Sequence, residues 1–413
     1  MGPTAIYEDL TRPSQPPAND RDSILNILPY RGYGTHEEVF LTGRVYKQLV
    51  FSAKEPSAKI LKELFAIGRR FTRWGVGGVK VRAEFNGSQQ YARTDRDGYF
   101  RFRIKTEQAP AVDSPWQNMD LILPGYPHYE AKAKGEVFVP PNDSRFVVVS
   151  DIDDTVMVTG VAQKIKVLWR LFFQQVQNRV AFPGVAAFYR ALHRGDSGKE
   201  MNPIVYVSRG PWSIYELLDA FFDLHDIPIG PVLFLRDWGF TLQHPLPRQA
   251  KGHKLDLIRE VLSIYKDLPI VLIGDSGQHD PEIYTRIVQQ NPGRVLAVYI
   301  RNVSRGAERV RSIDKLARKV LDAGSSLVLA ADSLSMAEHA AENSFISKAA
   351  LESVVKERIK QRDEMDLKPT RKIQRDTIEE TREAVEQDKL EAALSDKATR
   401  KEPVNVVIEA HDS

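Results

Sequence analysis

Three aspartates follow a short apolar run in the segment "RFVVVSDIDDTV", which covers residues 145–156. Asp151, Asp153 and Asp154 come at the end of a predicted strand, Phe146 to Val149, whose residues are apolar and mostly β-branched. Carboxylates about 4 Å apart repel each other by about 4 kcal/mol at the effective dielectric of a protein surface. The clustering therefore indicates a bound cation, although acidic residues after a strand can also cap a helix or form a turn.

Charged and hydroxyl side chains also follow other apolar runs, at the points where strands would end. These residues are Ser208, Arg209, Arg236, Asp237, Asp275 and Asp280, with Lys254 at the start of a helical stretch. In an open parallel sheet, ligands bind outside the carboxyl ends of the strands. We therefore expect carboxylates, a hydroxyl and several cations to converge on one crevice.

These residue types suit phosphoryl transfer. One carboxylate can act as a covalent nucleophile, and a second one, two residues along, can protonate the leaving oxygen and then activate water. Mg²⁺ prefers carboxylate and phosphate oxygens and would remove the repulsion among the aspartates. A hydroxyl and a lysine would stabilise the phosphoryl oxygens as charge shifts. We therefore predict a phosphatase with an aspartyl-phosphate intermediate and Mg²⁺ as its cofactor.

Two different apolar patterns indicate the elements that would position these residues. Between about 36 and 140 apolar residues alternate, as in "EVFLTGRVYKQ", and Asn-Gly and Asp-Gly turns separate the strands, which predicts an antiparallel β-sandwich. From about 144 to 332 continuous apolar runs alternate with helical stretches, which predicts a parallel sheet covered on both faces. The predicted regions are a flexible leader at 1–35, the β-sandwich at 36–140, a catalytic α/β domain at 141–335 and a charged helical or disordered tail at 336–413.

Composition narrows the class of protein. The chain of 413 residues has no cysteine, which excludes disulfides and cysteine-ligated metal sites. A net charge of +3 provides no strongly basic surface, and we predict no nucleic-acid partner. No apolar stretch approaches the roughly 20 residues of a membrane span, and the first residues lack the pattern of a secretory signal. We expect a soluble, cytoplasmic protein.

Five segments between about 140 and 305 form a recognisable set: "SDIDDTV", "FPGVAAFYRAL", "YVSRGPWSIYELLDAFF", "IPIGPVLFLRDWG" and "GDSGQHDPEIY". Together they resemble the catalytic domain of the actin-patch phosphatidate phosphatase family, a relative of the lipins in the haloacid dehalogenase superfamily. The resemblance implies a Rossmann-like, doubly wound fold and Mg²⁺-dependent hydrolysis of phosphatidate to diacylglycerol and phosphate. One departure is that Arg209 and Gly210 separate the serine from "PW", where the family usually has a small polar residue. The segment "TDRDGYFRF" resembles part of a transthyretin-like sandwich.

The resemblance also implies roles for individual residues. Asp151 matches the nucleophile and Asp153 the general acid and base, while Ser208 and Lys254 match the phosphate-binding residues. The metal would be held by Asp151, the carbonyl of Asp153 and Asp275, with Asp280 in support. We further predict substrate contacts for Thr155, Arg209, Arg236, Trp169 and Phe172.

The segment at 161–180 admits two interpretations. Its apolar residues, including Trp169 and Phe172, fall on one helical face, with lysines and arginines off that face. Such a helix can cover its own sheet, or it can form an apolar lip that contacts a bilayer peripherally or admits acyl chains. We predict a phospholipid phosphomonoester as the substrate, and the sequence leaves two alternatives open. The substrate is instead a soluble phosphomonoester, or the protein is a membrane- or protein-binding scaffold that catalyses no reaction.

Overall fold

The computed structural model describes residues 25–48, 73–107, 114–125, 131–153, 155–156, 182–210, 212–234, 253–304 and 306–367. The chain divides into a compact unit that ends at Arg358 and a second unit that begins at Ile359.

Nine strands of the described chain form one largely antiparallel sheet. They are β1 (Leu25–Pro29), β2 (Gly32–Gly34), β3 (Glu38–Gln48), β4 (Arg73–Gly75), β5 (Lys80–Phe85), β6 (Ser88–Arg93), β7 (Tyr99–Lys105), β8 (Trp116–Ile122) and β9 (Lys132–Phe138). Their order is β1-β3-β2-β9-β8-β5-β6, with β4 and β7 also paired to β3. Only the β2–β9 pair among them is parallel. Alternate residues of β5 and β7 are buried, because successive side chains of a strand point to opposite faces.

The antiparallel sheet begins earlier than the sequence indicated. Strands β1 and β2 lie within residues 1–35, for which the sequence predicts a flexible leader. Every residue of β1 pairs with β3, and the side chain of Leu25 is buried. Tyr30, which follows β1, and Tyr33, which belongs to β2, are also buried. Both strands are too short to show an alternating pattern, so tertiary pairing rather than local sequence determines them.

The second sheet has six strands in the described chain, and all of its pairs are parallel. They are β10 (Val147–Asp151), β11 (Ile204–Ser208), β12 (Val232–Phe234), β13 (Ile270–Asp275), β14 (Val295–Arg301) and β15 (Ser326–Ala330). Their order is β12-β11-β10-β13-β14-β15. The predicted combination of an antiparallel and a parallel sheet in one α/β chain is confirmed.

Helices contribute to apolar cores on both faces of the parallel sheet. The helices are α1 (Val185–Arg194), α2 (Tyr215–Leu224), α3 (His253–Ile264), α4 (Asp280–Gln290), α5 (Ala307–Asp322), α6 (Ser333–Glu342) and α7 (Lys348–Leu367). Val148 belongs to a core that includes residues of α1, α2 and α6, such as Phe188 and Phe222. Its neighbours Val147 and Val149 belong to a core that includes residues of α3, α4 and α5. Continuous apolar strands are therefore explained by burial on two faces.

The packed structure also continues beyond residue 335, into the region we had assigned to a charged tail. Phe345, Ile346 and Val354 are buried in the same core as Phe146, and the rings of Phe146 and Phe345 lie 5.8 Å apart. Charged residues outnumber apolar ones in this region, so the sequence pattern did not indicate that these three side chains are buried. No helix of the described residues is long and apolar enough to cross a membrane.

Candidate active site

Three of the predicted site residues end adjacent strands of the parallel sheet. Asp151 ends β10, Ser208 ends β11 and Asp275 ends β13. Strand β10 pairs with both β11 and β13. Because parallel strands have their carboxyl ends at the same edge, the three side chains start from one edge of the sheet.

A cluster of three buried carboxylates occupies this edge. One carboxylate oxygen from each of Asp151, Asp275 and Asp280 lies within 4.8 Å of the other two. All three residues are fully buried. Asp280 is the first residue of α4, and its Oδ2 accepts a hydrogen bond from the backbone N–H of Asp275 (3.2 Å). Asp275 Oδ1 accepts the N–H groups of Gly277 (2.7 Å) and Gln278 (2.9 Å), which fixes the turn after β13.

Lys254 lies between two of the carboxylates. It is the second residue of α3 and is only 1% exposed. Its Nζ donates to Asp151 Oδ1 (2.7 Å) and to Asp280 Oδ1. One ammonium group therefore faces three carboxylates, which leaves the cluster with an excess of negative charge if all three are ionised.

The pKa directions agree with this excess of charge. Burial raises the pKa of Asp151 well above its usual range, against the opposing effect of Lys254, and the charges of Asp280 and Asp153 raise it further. Burial, followed by the charge of Asp280, raises the pKa of Asp275 to about 7. Burial alone would lower the pKa of Lys254, but Asp151 and Asp280 outweigh that effect and raise it. Without a further cation, the site therefore favours the protonated forms of Asp151 and Asp275.

Several buried polar atoms of the site have no hydrogen-bond partner within the described chain. They are Asp151 Oδ2, Asp275 Oδ2, Thr155 Oγ1, Arg209 Nε and Gln278 Oε1. Buried polar atoms are normally hydrogen-bonded, so a group of unpaired ones calls for an explanation. Carboxylate oxygens suit a hard divalent cation, and hydroxyl and guanidinium groups suit an oxyanion. The residues present therefore fit a magnesium ion together with a phosphate group.

The serine at the end of β11 adjoins this cluster. Ser208 is 1% exposed, and its Oγ accepts the N–H of Gly210 (3.0 Å). Ser208 donates no hydrogen bond to another described residue, so its hydroxyl proton is available to a ligand. Arg209 is half-buried and follows directly.

The residues after Asp151 form a tight turn at the same edge. The N–H of Ile152 donates to the carbonyl of Val207 (3.2 Å), and the N–H of Val156 donates back to the carbonyl of Ile152 (3.0 Å). Thr155 is buried within this turn. Asp153 is half-buried and close enough to influence the pKa of Asp151. Its side chain is not one of the three clustered carboxylates, and its predicted part in metal binding stays a prediction.

Five of the singled-out residues lie outside the part of the chain that the structure describes: Asp154, Asp237, Trp169, Phe172 and Arg236. The substrate contacts expected of the last three stay predictions from sequence.

Two residues beside the site were not among those predicted. Ser276 Oγ accepts the N–H groups of Val303 and Ser304, both at 3.0 Å, and so supports the turn after Asp275. Arg301 ends β14, and its Nε donates to the carbonyl of Thr155 (3.2 Å). The signal used elsewhere, a polar residue directly after an apolar strand, applies equally to Arg301 after "VLAVYI".

Comparison with known proteins links this edge of the sheet to one family. The family described as "Phosphatidate phosphatase APP1, catalytic domain" matches residues 146–302. Phosphatidate phosphatase APP1 of Saccharomyces cerevisiae is 32% identical over 287 residues, which cover 69% of this chain and 44% of that protein. An uncharacterized protein of Schizosaccharomyces pombe is 30% identical over 249 residues, which cover 59% of this chain and 38% of that protein. The chain thus spans less than half the length of either relative.

Solved structures add nothing to this comparison. The β-glucuronidase of Ruminococcus gnavus aligns with 10% identity and a TM-score of 0.20, over 72% of this chain and 50% of that one. A score so low carries no argument about fold. The matched residues 146–302, in contrast, include Asp151, Ser208, Lys254 and the rest of the buried cluster. By its residues 146–302, the chain belongs to the family of the phosphatidate phosphatase APP1 catalytic domain.

Proposed function

We propose that the protein is a Mg²⁺-dependent phosphatase that hydrolyses phosphatidate to diacylglycerol and phosphate through an aspartyl-phosphate intermediate. The observation that carries the reaction type is the buried cluster of Asp151, Asp275 and Asp280, with Lys254 bound to two of its members. The name of the yeast relative supports phosphatidate as the substrate. The order of the parallel strands and the residues at their ends support a fold of the haloacid dehalogenase type.

Asp151 is the nucleophile in this proposal. Lys254 donates to Asp151 Oδ1, and Oδ2, which has no partner among the described residues, would be the attacking oxygen. A bond forms between Oδ2 and phosphorus while the bond from phosphorus to the diacylglycerol oxygen breaks, and Asp153 gives that oxygen a proton. Asp153 then takes a proton from water, whose oxygen attacks phosphorus. Inorganic phosphate leaves and Asp151 regains its carboxylate.

The same site would hold the metal and the phosphoryl group. Asp151, Asp275 and the carbonyl of Asp153 would hold Mg²⁺, with Asp280 in support. When bound, the ion supplies positive charge that offsets the carboxylates and polarises the phosphoryl oxygens. The hydroxyls of Ser208 and Thr155, neither of which donates to another described residue, would donate to those oxygens. Arg209, whose Nε is buried without a described partner, would add a cation at the same place.

The decisive test is Asp151→Asn, assayed with Mg²⁺ on phosphatidate in mixed micelles and on a panel of soluble phosphomonoesters. We expect phosphate release to fall to background, because an amide does not attack phosphorus. Asp120→Asn, at an exposed position of β8, is the matched control and should retain full activity. Near wild-type activity of Asp151→Asn would overturn the mechanism. Wild-type activity confined to soluble esters would overturn phosphatidate as the substrate, and no activity on any ester would favour a scaffold.

We also propose that the protein is located in the cytoplasm and contacts the membrane peripherally.

A further inference from the structure

Arg301 connects two parts of the site from behind. It is 3% exposed at the end of β14. Its Nε donates to the carbonyl of Thr155 (3.2 Å), and its Nη2 donates to Ser333 Oγ (2.9 Å) at the start of α6. The centre of the guanidinium lies 4.1 Å from the ring of Phe182. The side chain thus joins the turn after the nucleophile to two other elements.

The backbone of Arg301 supports the other half of the carboxylate cluster. Arg301 pairs in register with Asp275 across β13 and β14. Its carbonyl accepts the N–H of Ser276 (2.9 Å), which is the residue directly after Asp275. One residue therefore contacts the turn that follows Asp151 and the strand end that carries Asp275.

The guanidinium is buried without an acidic partner in the described chain. Its bonded partners are a carbonyl and a hydroxyl, both neutral. Asp332, the acidic residue whose charge affects it, caps α6 and forms an ion pair with Arg358. Burial lowers the pKa of Arg301 to about 10, against the smaller opposing effects of Tyr189 and Asp332. A buried charge that is not paired usually reduces stability.

We propose that Arg301 is a positioning residue, which holds the turn at Thr155 against the strand end of Asp275 so that the nucleophile and the metal-binding carboxylates keep one geometry. This inference rests on the proposed phosphatase function. A buried cation with no acidic partner among the described residues is explained by such a role, because residues that serve activity often reduce stability. A purely structural arginine would instead contribute to stability.

The two roles give opposite results for Arg301→Met, which removes the charge and keeps an apolar chain of similar length. We expect the melting temperature without metal to stay level or rise. We expect kcat for a small soluble phosphomonoester with Mg²⁺ to fall about 100-fold, the effect typical of a small misplacement of catalytic groups. Arg301→Lys keeps the charge and one donor for the Thr155 carbonyl, so its kcat should lie between those of Arg301→Met and the wild type.

Arg294→Met is the matched control. Arg294 is only half-buried, so its charge stays in contact with water, and its Nη2 donates to the carbonyls of Tyr265 (2.7 Å) and Leu268 (3.1 Å), which lie away from the strand ends. Its removal therefore loses hydrogen bonds without relieving a buried charge. This variant should lose thermal stability and keep its kcat when assayed well below its melting temperature. The inference is overturned if folded Arg301→Met and Arg301→Lys both keep kcat within about threefold of the wild type. If the wild type is no more active than Asp151→Asn, the proposed function fails instead, and the two failures are distinct.

Discussion

The ring of Tyr30, which follows the first strand of the antiparallel sheet, lies 4.4 Å from the ring of Trp212, four residues after Ser208. Tyr30 also lies 4.6 Å from the ring of Tyr215, the first residue of α2. The N–H of Arg31 donates to Tyr215 Oη (2.9 Å), and the Arg31 guanidinium bonds to Asp219. The antiparallel sheet therefore packs directly against the segment that follows Ser208.

Tyr30→Ala should weaken binding of the phosphomonoester substrate. Removing a buried aromatic ring costs about 3–5 kcal/mol, and the cavity would allow Trp212 and the Ser208 turn to shift. We expect a raised KM for a soluble phosphomonoester, whereas Tyr30→Phe, which keeps the ring, should behave like the wild type. Phe85→Ala, in the separate core of the antiparallel sheet, should lower the melting temperature and leave KM unchanged. An unchanged KM in Tyr30→Ala would show that the contact only adds stability.

The sequence predicted which residues end adjacent strands better than it predicted the contacts that support those strand ends. Asp151, Ser208 and Asp275 could be placed together because each directly follows a continuous apolar run, and parallel strands end at one edge. The contact of Tyr30 with Trp212 joins residues far apart in the chain, through strands too short to carry a pattern. The bond of Arg301 to the carbonyl of Thr155 involves a backbone atom, which leaves no trace in residue types.

The contribution of Asp275 to the free energy of unfolding of the metal-free protein should decrease as pH rises. Burial and the charge of Asp280 raise the pKa of Asp275 in the folded protein to about 7, above its ordinary value of 3.8. The folded state therefore holds this proton more tightly than the unfolded chain does. The resulting stabilisation is complete below the ordinary value and is lost as pH rises through about 7.

Urea unfolding at pH 5 and pH 8 with a chelator, on the wild type and on Asp275→Asn, tests this pH dependence. The free energy of unfolding of the wild type minus that of Asp275→Asn should be larger at pH 5 than at pH 8. Added Mg²⁺ should stabilise the wild type at pH 8 and have little effect on the variant, because the ion replaces the proton at the carboxylates. A difference that does not vary with pH would contradict the raised pKa.

Lys254→Met should abolish most of the activity and move its pH dependence. The variant leaves Asp151 and Asp280 without their shared cation, which lowers the pKa of Asp151 in the wild type. The pKa of Asp151 should therefore rise further, and the acid limb of the rate profile should move to higher pH. Loss of a preorganised donor to the phosphoryl group should reduce kcat by about 10²–10³-fold. The control is Lys80→Met, since Lys80 lies over the ring of Tyr91 in the antiparallel sheet. An unshifted profile in Lys254→Met would contradict the proposed coupling.

Asp153→Asn should separate the two chemical steps. With p-nitrophenyl phosphate the leaving group needs little protonation, so attack by Asp151 should proceed while hydrolysis of the phosphoenzyme slows. We expect a burst of p-nitrophenol close to one per enzyme, followed by a slow steady state, and a trapped phosphoenzyme after acid quenching. With an alkyl phosphate both steps should be slow. Equal loss of the burst and the steady state on p-nitrophenyl phosphate would argue against Asp153 as the acid and base.

The last prediction concerns the lipid substrate and rests on the sequence of residues 161–180, which lie outside the described residues. Trp169 and Phe172 are expected to contact lipid, with Lys164, Lys166 and Arg170 near its anionic surface. Burial of one large apolar side chain contributes about 1.5–3 kcal/mol, and each basic residue near an anionic membrane contributes about 1 kcal/mol. Trp169→Ala combined with Phe172→Ser should therefore weaken binding to phosphatidate vesicles and slow micellar hydrolysis, while a small soluble ester is hydrolysed at the wild-type rate.

Trp74→Ala is the control for losing a tryptophan, because Trp74 is 66% exposed on β4 of the antiparallel sheet. This variant should bind vesicles as the wild type does if the lipid contact belongs to residues 161–180. Weaker binding in Trp74→Ala alone would move the contact to the antiparallel sheet. If the double variant instead loses activity on both substrates and melts at a lower temperature, the segment covers its own sheet, because removal of core side chains destabilises the whole domain rather than one substrate complex.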